Sequence, residues 1–207
     1  DENGNLLNIN EQLTMRGSES DWIAHPDESV DLCVLPIGPA LNGFIRAGKH
    51  LLTIPLSLEL LPTDKQIQDM GCMDEVTMVG YPNGIWDEAN NLPIVRRGIT
   101  ATPYRYDYQG QKEFLVDMAC YPGSSGSPVF LYNEGTYLEN DAVVMGKRLY
   151  LLGILRAVPI RTLLGGITVS TIAHVSVQDM LNLGIVIKSE RLRDFDPIVR
   201  ERLSVSG

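Results

Sequence analysis

The chain has 207 residues, 44% hydrophobic and 21% charged, enough apolar material for one large domain or two small lobes. A net charge of −9 argues against a phosphate-binding surface, so nucleic acid is not an expected partner. The longest greasy run, Leu149 to Leu155, stops at Arg156, far short of the roughly 20 apolar residues of a membrane helix, so no membrane partner is expected either.

In chain order the apolar segments are short and rich in β-branched residues. They are Leu6 to Ile9, Val30 to Leu35, Glu75 to Val79, Ile94-Val95, Gly98 to Thr100, Phe114 to Val116, Val129 to Leu131, Leu149 to Leu155 and Gly184 to Ile187. Pro-Asn-Gly, Pro-Gly and Gly-Gly pairs punctuate them as turns, and the pattern is all-β, barrel or sandwich. Pro103 to Gln111 reads as an exposed loop between two halves. One helix is expected at the tail, capped by Ser189, with Leu192 and Phe195 on one face and Asp196-Pro197 interrupting it. Cys33, Cys72 and Cys120 are odd in number and lack metal-ligand spacing, so they read as buried free thiols, with no metal or other cofactor implied. Free thiols favour a reducing, cytoplasmic compartment over the bacterial periplasm or secretion.

The chemistry concentrates in Tyr121-Pro-Gly-Ser-Ser-Gly-Ser-Pro128, set between two strand segments. Glycine, a variable residue, serine, glycine, a small residue and proline follow one another. This order resembles the nucleophile loop of the trypsin-like serine peptidases, Gly-Asp/Asn-Ser-Gly-Gly-Pro, with Ser127 in place of the second glycine. The likeness continues in His25-Pro26-Asp27 with Val30 to Leu35, in Asp74 to Gly84 with Arg97-Gly98-Ile99, and in Leu152 to Leu155 and Gly184 to Ile187. These segments are similar to the bacterial HtrA/Deg branch, and residues 22 to 195 fit in order.

The resemblance implies two six-stranded antiparallel β-barrels in one domain over residues 1–207. The first, within 1–102, would be incomplete, and the second, within 112–195, would carry the nucleophile loop. It implies a serine endopeptidase acting on a peptide or protein substrate through an acyl-enzyme. Ser125 is the implied nucleophile, Asp31 the buried carboxylate that orients a histidine base, with a solvated strand charge as the alternative for Asp31, and the N–H groups of Gly123 and Ser125 the oxyanion hole.

The base is the gap in the pattern. His25 sits in His-Pro, a structural lead-in to the aspartate strand, and His50 and His174 have the wrong chain order. The expected reading is a domain whose catalytic histidine lies upstream of Asp1, which leaves this chain alone nearly inert. Missing strands would then come from a complementing N-terminal segment or from another copy in a homo-oligomer. A pseudopeptidase that keeps the fold as a peptide-binding scaffold, and His25 as an unconventional base, remain as alternatives.

By the same resemblance the specificity pocket is lined by Ala119, Leu155, Arg156, Ala157 and Gly184. Ala119, six residues before Ser125, forms the floor, and the strand Leu155 to Val158 pairs with substrate. Without an Asp at the floor, small aliphatic residues are the expected fit, and cleavage after Arg or Lys is disfavoured. Arg156 is expected at a strand edge on the surface, with an inward orientation that recruits acidic substrates as the alternative. The insert from Pro159 to Leu183 either closes over the site or decorates the surface.

Overall fold

The structure is a computed structural model that describes residues 21–49, 51–139, 142–157, 160–168 and 172–205, with the backbone alone for 157–180 and 203–205. Leu6 to Ile9, His50, Val158 and Pro159 lie outside the described residues. The chain is mostly β-sheet with a short C-terminal helix. It divides into two compact units. One comprises Asp1–Glu59, Asp87–Leu92 and Glu190–Gly207, and the other comprises Leu60–Trp86 and Pro93–Ser189.

In the first unit a two-stranded antiparallel sheet pairs β1 (Ile23–Ala24) with β2 (Cys33–Val34). It is followed by α1 (Gly38–Arg46), which has Pro39 in its first turn, where the missing N–H costs nothing. A 3-10 segment over Ser189–Phe195 enters the unit at Glu190 and is continuous with α3 (Asp196–Val205). Pro197 therefore starts the α-helix instead of interrupting it, because proline's fixed φ suits the first turn.

The second unit opens with α2 (Asp64–Asp69), held by a capping box in which the Thr63 side chain accepts from the Gln66 N–H and Gln66 accepts from the Thr63 N–H. Six strands follow: β3 (Glu75–Gly80), β4 (Ile94–Thr100), β5 (Glu113–Asp117), β6 (Pro128–Glu139), β7 (Ala142–Ala157) and β10 (Leu183–Lys188). They hydrogen-bond in the order β10-β5-β4-β3-β6-β7, and β7 pairs back onto β10, so the antiparallel sheet closes into a ring. A separate hairpin pairs β8 (Ile160–Thr168) with β9 (Ile172–Met180). Gly165-Gly166, read as a turn, instead pairs in register with Val175 and His174.

Alternation builds the ring's interior. Val76 and Met78 of β3, Phe114 and Val116 of β5, Val129 and Leu131 of β6, and Leu152, Leu155 and Val186 are buried together. Each such side chain contributes about 1.5–3 kcal/mol of burial. Two bulges bend β7 so that it can close the ring, one with Leu152 unpaired against β6 and one with Arg156 unpaired against β10.

The ring corrects the expected division into halves. Strands β3 and β4, assigned to the first barrel, belong to the same ring as the strands after residue 112. Pro103 to Gln111, expected as an exposed loop, is exposed over most of its length but is anchored to the ring. Tyr104 is buried there, edge-on to Phe114 at 5.0 Å, and its hydroxyl donates to the Leu152 carbonyl at 3.1 Å.

Lys188, also buried, fastens the segment by donating to the Tyr106 carbonyl at 3.0 Å and to Asp107 Oδ1 at 2.6 Å. Burial pulls the Asp107 pKa upward, but the hydrogen bond and charge of Lys188, with Lys112, outweigh it and hold it below the usual value. A lowered carboxylate pKa stabilises the fold above the unfolded value near 3.9, and that contribution is lost as pH falls through the folded pKa. Asp107→Ala is expected to cost about 1.5 kcal/mol at pH 7, because the buried ammonium loses its carboxylate and keeps only the Tyr106 carbonyl as acceptor. Urea titration should show the difference from the parent protein shrinking toward pH 3.

Candidate active site

The serine loop joins β5 to β6, and hydrogen bonds from both sides of the ring fix its backbone. The Asn83 N–H donates to the Pro122 carbonyl at 2.9 Å, and the Gly126 N–H donates to the Leu155 carbonyl at 2.8 Å. The Leu155 N–H donates to the Ser127 carbonyl at 2.9 Å. Inside the loop, the Ser124 N–H turns back to the Tyr121 carbonyl and the Ser127 N–H to the Ser124 carbonyl. Asn83 reaches its position with φ 51°, a conformation asparagine tolerates, in the turn spelled Pro82-Asn83-Gly84. Gly123 has φ 83°, and a Cβ there would also press on the Asn83 nitrogen at 3.1 Å, so both conformation and space require glycine.

This framework separates the two serines. Ser124 is fully buried, and its Oγ has no hydrogen-bond partner among the described residues. Ser125 is exposed. Among the described residues, neither the Gly123 nor the Ser125 N–H has an acceptor, whereas the amides of Ser124, Gly126 and Ser127 all do. The loop thus presents one accessible hydroxyl and two uncommitted amides on a tied backbone, the parts that attack on a carbonyl and stabilisation of an oxyanion require.

The other expected site residues divide between the two units. Asp31 belongs to the first unit and is exposed just before β2, because the strand is two residues long and Val30 and Leu32 are only half-buried. The burial expected of it does not hold. Gly184 lines the ring interior and not a substrate surface, since a Cβ there would meet Leu155, Cys120 and Val116 within 3.0 Å. The Leu155 side chain is likewise in the core, and its N–H and carbonyl serve the serine loop, so it has no backbone group left for a substrate strand. Arg156, the unpaired residue of the bulge, places its Nε 2.9 Å from Glu113 Oε1 and donates from Nη2 to Oε2 at 3.2 Å. Ala157 pairs with Ile185 at the end of β7, and its side chain lies outside the described residues.

His25 is closed off as a base. Its side chain is 1% exposed and stands edge-on to Phe195 at 5.2 Å. Nδ1 accepts from the Asp27 N–H at 3.0 Å, an arrangement that leaves the proton on Nε2, 3.1 Å from Asp194 Oδ2. Sequence reasoning also passed over Arg96 on β4. Its Nη1 donates to the Ala119 carbonyl at 2.8 Å, and its guanidinium stands 4.7 Å over the Tyr121 ring.

The cysteines divide differently from expectation. All three are free, but Cys33 and Cys72 are exposed and Cys120 alone is buried. Burial pushes the Cys120 thiol up to about 11 against a smaller opposing effect of Arg96. Iodoacetamide at pH 8 is expected to alkylate Cys33 and Cys72 and to spare Cys120 until the protein is unfolded, as peptide mass mapping will show.

Among the described residues no His, Cys, Asp or Glu cluster could hold a metal ion, and no helix is long and apolar enough to cross a membrane. No family model, no curated protein and no solved structure matches the chain.

Proposed function

We propose that this chain is a trypsin-like serine endopeptidase domain whose nucleophile is Ser125. The observation that carries the reading is the loop: Ser125 exposed, Ser124 buried, and the Gly123 and Ser125 amides free on a backbone fixed by Asn83 and Leu155. In this reading Ser125 Oγ attacks the substrate carbonyl, and its proton passes to a histidine oriented by Asp31. The developing oxyanion accepts from the Gly123 and Ser125 N–H groups, and the amine leaves as an acyl-enzyme forms for water to hydrolyse. A closed antiparallel ring of six strands carrying the loop supports the double-barrel fold that the resemblance implies, with β3 and β4 reassigned to the nucleophile half.

The burial of His25 and the exposure of Asp31 favour a second reading, a catalytically silent relative that keeps the barrel as a scaffold for binding peptides. A fluorophosphonate probe separates the two. On protein expressed from the complete reading frame, the first reading gives a covalent adduct mapped to Ser125 by peptide mass spectrometry. Absence of any adduct would leave the scaffold reading.

A further inference from the structure

Strand β4 is inverted in its polarity. Val95 faces outward and is 64% exposed, whereas Arg96 stands opposite Met78 on the row that includes the buried Thr100 and faces the ring's interior. Arg96 is half-buried, so part of its charged side chain stays open to a partner, and arginine in an inward-facing row usually has one. Its own contacts do not supply one. Nη1 is spent on a neutral carbonyl, that of Ala119, the flat face lies on Tyr121, and Nε is buried without a hydrogen-bond partner. The chain has 26 Asp and Glu residues, yet among the described residues none forms an ion pair with Arg96.

The place matters as much as the charge. Ala119 and Tyr121 flank the buried Cys120 and lead directly into the serine loop, so the guanidinium is fixed beside the segment that presents Ser125. Ala119 is half-buried and carries only a methyl group. A guanidinium offers five N–H donors in a planar fork, and with Nη1 donating to Ala119 and Nε buried, the Nη2 end remains to receive a carboxylate.

Resting on the peptidase reading, we infer that Arg96 is the specificity determinant of the Ser125 site and selects substrates with a glutamate or aspartate side chain at the residue whose carbonyl is attacked. This replaces the small aliphatic preference drawn from Ala119 alone. The acidic group does for Arg96 what no carboxylate of the described chain does, and Ala119 serves as the spacer that admits it. Arg156, whose charge is answered by Glu113, takes no part.

The test uses peptidyl diphenyl phosphonates ending in Glu, Gln, Val or Lys analogues, applied to protein from the complete reading frame. Each labelling rate at Ser125 is read against the fluorophosphonate rate of the same protein. Glu and Gln probes have the same shape, so their ratio isolates the charge. The Glu probe is expected to react about tenfold or more faster than the Gln probe, the scale of a charge-assisted hydrogen bond, and faster than the Val and Lys probes. In Arg96→Gln the Glu:Gln ratio should fall toward one whatever the absolute rates. Arg96→Lys, which keeps the charge and loses the fork, should give an intermediate ratio. A role limited to bracing the Ala119 carbonyl would slow all probes alike, so an unchanged ratio in Arg96→Gln overturns the assignment. A ratio near one in the parent protein also overturns it. If fluorophosphonate itself fails to label Ser125, the peptidase reading falls first and takes this inference with it.

Discussion

On the peptidase reading, Ser125→Ala is expected to remove covalent capture of fluorophosphonate completely and to lower peptide hydrolysis by about 10⁴- to 10⁶-fold, the usual loss when a serine peptidase loses a member of its triad. The informative partner is Ser124→Ala. Ser124 is buried with an unsatisfied Oγ, so its hydroxyl cannot meet a probe, and its removal relieves a polar group without a partner. The Ser124→Ala protein should therefore keep its labelling and fold at least as stably, by up to ~1 kcal/mol. Intact-mass measurement after probe treatment, with urea unfolding of both variants, checks the pair. Labelling that survives Ser125→Ala and disappears in Ser124→Ala would reverse the assignment.

Gly153→Ala is expected to damage the fold more than any other single methyl group considered. A Cβ at this position would fall on the Ile187 carbonyl oxygen and within 2.8 Å of a Val186 methyl, at the seam where β7 meets β10. The clashing carbonyl is backbone already paired in the ring, so relief requires parting the two strands. That should cost at least ~3 kcal/mol, the upper part of the range for overpacking. Gly43→Ala, in α1 with open space around it, is the control and should be neutral or stabilising by about 0.5–1 kcal/mol. Equal losses in the two variants by urea titration would contradict the seam geometry.

The strands were legible because their alternation is local. Val76 and Met78, or Phe114 and Val116, announce a buried face within a few residues. Which strands share a ring was not legible, because Pro103 to Gln111 has the composition of a linker. Only the distant Lys188 and the core around Phe114 reveal that Tyr104 and Asp107 are anchored. The positive φ at Gly123 and Gly126 was legible, since it is a local property of glycine, and the loop they shape leaves Ser125 exposed and Ser124 buried. Asp31 could not be placed, since flanking Val30 and Leu32 promise a buried strand that β2 is too short to build. Arg96 escaped because a charge beside Val95 reads as the outward residue of the pair, and only the register with Met78 shows the opposite. The Thr63 and Gln66 spacing did announce α2, and a search for capping boxes would have found it.

The ties that hold the serine loop also govern when the site comes into being during folding. The amides and carbonyls that fix it come from Asn83, far upstream, and from Leu155, far downstream, and the ring that brings these together requires Asp117 to find Leu183 and Val76 to find Leu131. Such non-local pairings bear the loop-closure entropy before they return any contact energy, which places the fold among the slower, millisecond-to-second class. Until the seam shuts, residues 121–128 are an ordinary glycine-rich connection with no preferred orientation of the Gly123 and Ser125 amides. On the peptidase reading, reactivity at Ser125 would thereby be acquired only once the ring has closed. A nascent or partly unfolded chain carries the same serine without the means to use it.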